Sequence, residues 1–82
     1  MAKFLFFGRL ADRVGRNKVE LDLPPHIQTT SAVIRWLEAY LDTPNALSDP
    51  SLKIMINQEF IHQNGPVHNS DEVGFLPPVG GG

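Results

Sequence analysis

The chain has 82 residues, 41% of them hydrophobic, a formal net charge of -2 and no cysteine. That supports one small core, held at ordinary per-residue stabilities by about 4 to 12 kcal/mol, with little room for an elaborate buried catalytic centre. A weakly acidic chain has no general attraction to nucleic acid or an anionic membrane, and without cysteine it has no disulfide, thiolate catalyst or cysteine-metal site of its own.

In chain order, MAKFLFFGRL has an apolar run too short for a signal peptide or a membrane span, which points to a cytoplasmic protein. Phe4, Leu5, Phe6 and Phe7 form an unbroken run closed by Gly8, the pattern of a central strand apolar on both faces. RLADRVG places Leu10 and Val14 four apart and Gly15 at the end of a short helix. Arg9, Arg13 and Arg16 fall along that helix with Lys18 beyond; they read either as a solvated face or as a basic stripe for an acidic partner. KVELDL alternates Val19, Leu21 and Leu23 with Lys18, Glu20 and Asp22, a half-exposed strand stopped by Pro24 and Pro25.

TTSAVIRWLEAYL is the one strong helix. At about 100° per residue, Val33, Ile34, Leu37, Tyr40 and Leu41 share an arc with Trp36 at its edge, and Thr29, Thr30 or Ser31 can cap its start. After the turn-rich DTPNALSDP, LKIMIN alternates Leu52, Ile54 and Ile56 with Lys53, Met55 and Asn57, and EFI can pair back on it. QNGPVHNSDE reads as loop, and EVGFL as a last strand with Val73 and Phe75 on one face and Leu76 on the other.

This order predicts an α+β domain, a mixed sheet packed on one main helix, over residues 1–76. The other sheet face then carries Leu5, Phe7, Met55, Leu76 and Phe60, an exposed apolar patch of the kind that marks a partner surface. Catalytic machinery is missing from the pattern: His26, His62 and His68 lack metal-ligand spacing, Asp71 and Glu72 read as acceptors in a turn, and the glycines do not form a phosphate loop.

What is left is residues 77–82. Pro77 and Pro78 favour an extended backbone, so the chain leaves the sheet as an arm of about 20 Å at roughly 3.3 to 3.6 Å per residue. Beyond Val79, the glycines Gly80, Gly81 and Gly82 can thread a channel too narrow for side chains and offer an unhindered carboxylate.

The opening KFLFFG, the short helix RLADRVG and the ending DEVGFLPPVGGG resemble the small subunits of molybdopterin synthase, which are ubiquitin-like β-grasp domains. The resemblance runs the whole chain and is most specific in the ending; one departure is Gly80, where relatives often carry serine or threonine. Length and the Pro-Pro-Val lead-in favour this family over the shorter thiamine-pathway carrier. The resemblance implies a sulfur carrier that is not itself catalytic and holds no permanent cofactor. A ubiquitin-activating-like adenylyltransferase would use ATP and magnesium to adenylate the Gly82 carboxylate, and a persulfide donor would convert it to a thiocarboxylate. The large subunit, which supplies the catalytic residues in a heterotetramer, would then receive the tail. Leu76, Phe7 and Phe60 would anchor the partners. Three other classes fit the same residues: a sulfur carrier of the thiamine or cysteine pathways, a protein modifier joined to lysine through Gly82, and a noncatalytic β-grasp adaptor.

Overall fold

A computed structural model describes residues 1–78. The expectations for Val79, Gly80, Gly81 and Gly82 lie outside the described residues. In order come β1 (Ala2–Phe6), α1 (Arg9–Val14), β2 (Lys18–Leu21), α2 (Thr30–Leu41), β3 (Lys53–Ile56), β4 (Glu59–Ile61) and β5 (Glu72–Leu76). The strands form one sheet in the order β2-β1-β5-β3-β4, antiparallel except for the parallel β1-β5 pair. The α+β architecture expected from the strand and helix order is the one observed, with β5, the last strand, placed in the middle.

Local chemistry sets the element ends. The Thr29 hydroxyl accepts from the Ala32 amide at 3.3 Å and starts α2, and Asp42 ends it in the left-handed region at φ 54°. Gly15, at φ 90°, closes α1 by donating its N–H to the Ala11 carbonyl at 2.8 Å. β3 turns into β4 through Asn57 and Gln58 at φ 52° and 70°, a two-residue turn whose twist matches the strands it joins.

The core lies between the sheet and α2. Phe4, Phe75, Leu37, Leu47, Val33 and Val73 are its largest fully buried side chains, and the rings of Phe6 and Phe75 stack with centroids 5.7 Å apart. Tyr40 is a correction to the apolar arc read for α2: it is 58% exposed. Trp36 occupies the space over Phe4, at 6.2 Å between centroids, so Tyr40 rests against the outer side of Trp36 at 5.8 Å. Two segments read only as turn and loop add to the core. Ala46 and Leu47 are drawn in where the Glu38 carboxylate accepts from the Leu47 amide and the Ser48 hydroxyl, and Val67 is buried where its amide donates to the Gln28 carbonyl.

Candidate functional site

Strand pairing places residues side by side on one sheet face. On the face away from α2, the middle row reads Lys18, Leu5, Gly74, Met55, Phe60 across the five strands. At the end where β5 finishes, Leu76 pairs with Lys53, and Phe7 follows β1 with its amide donating to the Phe75 carbonyl at 3.2 Å. At the opposite end Lys3 pairs with both Glu20 and Glu72.

The apolar members of this face remain open to water. Phe7 is 39% exposed and Phe60 52%, while Leu5, Met55 and Leu76 are half-buried. Gly74 is the bare spot among them. A methyl group there would meet Met55 Cε at 3.3 Å and Phe7 Cε2 at 3.4 Å, so those two side chains close in over the backbone of β5. The three residues named as anchors therefore share one face: Phe60 beside Met55, Met55 across Gly74 from Phe7, and Leu76 at the tail end. Gly74 was missed as part of the site, although an isolated glycine within a strand marks a close approach.

Leu76 is the last residue of β5, and Pro77 and Pro78 continue beyond the sheet. Pro77 is half-buried at the turn from β1 into α1, where its Cγ lies 3.3 Å from the place a Cβ on Gly8 would take. Gly8 has φ 57° and ψ -141°, a conformation side chains disfavour, so a glycine at this turn serves both the backbone and the proline ring. Sequence reading took Gly8 only as the close of a strand. On the other side of Pro77 and Pro78, a groove of about 350 Å³ is lined by Arg9, Leu10, Arg13, Asp49 and Leu52. Arg13 is engaged there, donating to the Pro44 carbonyl at 3.1 Å. The Asp49 carboxyl is held below its ordinary pKa, chiefly by the Ser51 amide and then by the Ser51 hydroxyl, with Arg13 adding a smaller effect.

The start of β5 is fixed by a polar cluster around Asp71, which is 8% exposed. Its carboxylate accepts from Asn57 Nδ2 at 2.9 Å and from the His68 amide at 2.8 Å, while Asn57 Oδ1 accepts from the Glu72 amide at 2.9 Å. Asp71 thus ties the β3-β4 turn to the strand that carries Pro77 and Pro78. His26, His62 and His68 are not brought together, and among the described residues no three His, Asp or Glu side chains gather as a metal site. No helix of the described residues is long and apolar enough to cross a membrane.

The chain matches the ThiS family over residues 4–82. It is 35% identical over 85 residues to the molybdopterin synthase sulfur carrier subunit of Escherichia coli (strain K12), covering 100% of both chains. Against the molybdopterin synthase sulfur carrier subunit of Dictyostelium discoideum it is 30% identical over 82 residues, covering 98% of this chain and 94% of the other. Among solved structures, SAMP1 from Haloferax volcanii superposes with a TM-score of 0.71 at 22% identity, covering 99% of this chain and 98% of that one. The small archaeal modifier protein 1 from Methanosarcina acetivorans gives a TM-score of 0.70 at 22% identity, covering 99% and 95%. At those identities the structural likeness speaks to the ubiquitin-like fold alone.

Proposed function

The chain belongs to the ThiS family, and from that membership we propose that it is the sulfur carrier subunit of a cytoplasmic molybdopterin synthase, working through its Gly82 carboxylate. The observation that carries this reading is the full-length likeness to relatives that bear that name, at 30% and 35% identity. The open face supports it by setting apolar anchors beside the strand end from which Pro77 and Pro78 lead.

A carboxylate is a poor acyl donor, so the carrier has to be activated. A ubiquitin-activating-like adenylyltransferase joins the Gly82 carboxylate to the AMP portion of ATP with magnesium, releasing pyrophosphate. The outer sulfur of a persulfide displaces AMP to give an acyl disulfide. A second thiol of the donor then cleaves its S–S bond, leaving a disulfide on the donor and a thiocarboxylate on Gly82, which is how a chain without cysteine carries sulfur. The tail then enters the large subunit, where the sulfur attacks a cyclic pyranopterin precursor; water cleaves the resulting thioester and returns Gly82 as a carboxylate, and two such deliveries build the dithiolene. Acids and bases for these steps belong to the partners. Leu76, Phe7 and Phe60 dock them, while Pro77, Pro78, Val79, Gly80 and Gly81 extend Gly82 into the partner's site. Two carriers assemble with a dimeric large subunit.

Intact mass of the protein isolated from its own cells tests the reading. A population heavier by the difference between sulfur and oxygen at the terminal residue is expected. Attachment of Gly82 to target lysines, with no sulfur-bearing form, would replace the carrier by a modifier. A chain carrying neither mark, with its tail dispensable, would be an adaptor.

A further inference from the structure

The open face is electrically lopsided. Lys18 and Lys53 lie in its middle and tail-end rows, which contain no acid, whereas the far row holds two acids, Glu20 and Glu72, around the single Lys3. Among the described residues the one ion pair is the Met1 amine with Asp22 at 3.8 Å, so no close ion pair neutralises the charges around the apolar belt. Beside Phe7 the face dips into a hollow of about 590 Å³ lined by Leu5, Phe7, Gly8, Ala11, Asn17 and Lys18. Its lining mixes apolar side chains with Asn17 and Lys18, next to the strand end that leads into the tail.

We propose that this face selects a protein surface of matching polarity: an apolar side chain seated in the hollow beside Phe7, carboxylates facing Lys18 and Lys53, and a cationic side chain facing Glu20 and Glu72. The proposal deepens the carrier reading, on which it rests, by specifying the chemistry of the docked surface. Apolar contact alone lets two flat patches meet in several rotations about the face normal. An uneven charge pattern, lysines in the middle and tail-end rows against two glutamates in the far row, favours one rotation and speeds productive encounter, and here the favoured rotation brings the tail root to the partner's acidic side.

The test measures association of the full chain with the molybdopterin synthase large subunit of the same organism by stopped flow, between about 0.05 M and about 1 M salt. Two charge-reversed forms are compared with wild type: K18E with K53E, and E20K with E72K. Each pair is expected to slow association about tenfold or more at low salt and to converge on wild type at high salt. If a reversed pair shows a lowered thermal midpoint, the neutral pairs K18Q with K53Q and E20Q with E72Q replace it, acting in the same direction by less. Slowing by the lysine pair with acceleration by the glutamate pair means a uniformly acidic partner and overturns the polarity. Wild-type binding whose rate ignores both pairs overturns this inference and leaves the carrier reading standing. Failure of the wild-type chain to bind the large subunit overturns both.

Discussion

Gly74→Ala is a sharp test of the packing on the open face, because the structure decides its sign. The added methyl meets Met55 Cε at 3.3 Å and Phe7 Cε2 at 3.4 Å, so each must give by a few tenths of an ångström. Both can: Met55 is half-buried and offers the end of a flexible chain, and the Phe7 ring is 39% exposed. Gly74 has no left-handed backbone that an alanine would strain. Replacing a glycine by alanine at a compatible position stabilises by about 0.4 to 1 kcal/mol, chiefly by restricting the unfolded chain. Displacing two yielding side chains offsets part of that, for a net gain of about 0.5 kcal/mol. A domain of this size shifts by roughly 4 to 8 °C per kcal/mol, so the thermal midpoint should rise by about 2 to 4 °C. The same methyl raises the floor between Leu5 and Met55, so affinity for the large subunit should fall. Circular dichroism melts and titration calorimetry read the two effects. A midpoint lowered by several degrees would show that Met55 and Phe7 are locked in place, and the face would then be rigid core.

Leu76→Ala and Leu37→Ala separate docking from folding. Leu37, with no exposed surface, should lose about 2 to 5 kcal/mol of stability on truncation, whereas half-buried Leu76 should lose less in urea titrations and weaken large-subunit binding by about 2 kcal/mol or more. Equal unfolding losses, or unchanged binding by Leu76→Ala, would remove Leu76 from the interface. Asp71→Ala deletes two hydrogen bonds to a buried carboxylate and should cost about 2 to 5 kcal/mol of folding free energy, a large share of the total for this domain. A loss under about 1 kcal/mol would mean that Asn57 and His68 find other partners without it.

The half-buried strands were plain in the sequence because a sheet packed on one side imposes period two: Val19 and Leu21 face the core, Lys18 and Glu20 do not. The main helix was equally readable from Val33 and Leu37 and from the hydroxyl at Thr29. Periodicity does not encode what depends on neighbours distant in the chain. Ala46, Leu47 and Val67 enter the core through contacts that turn-forming residues around them conceal, and Tyr40 leaves it because Trp36 fills the space first. The proposed anchors Leu76, Phe7 and Phe60 could be picked out by alternation, but their relation through Met55 and Gly74 required the strand order. The opposition of Lys18 and Lys53 to Glu20 and Glu72 required the register as well.

The position of β5 between β1 and β3 has a consequence during synthesis. On the ribosome, β1, α1, β2, α2, β3 and β4 all emerge before the strand that joins them, and until Val73 and Phe75 arrive the two halves of the sheet share no ladder. Pairing strands so far apart in sequence is slow, and on a growing chain it must wait for β5 to emerge. The residues that finish the fold are immediately followed by those that form the root of the tail. A chain that has not yet paired β5 therefore lacks both the joined face and the placement of Pro77 beside Gly8. An activating enzyme that reads the face before engaging the terminus would pass over such molecules, so recognition would double as inspection, and sulfur would be loaded only onto chains that have finished folding.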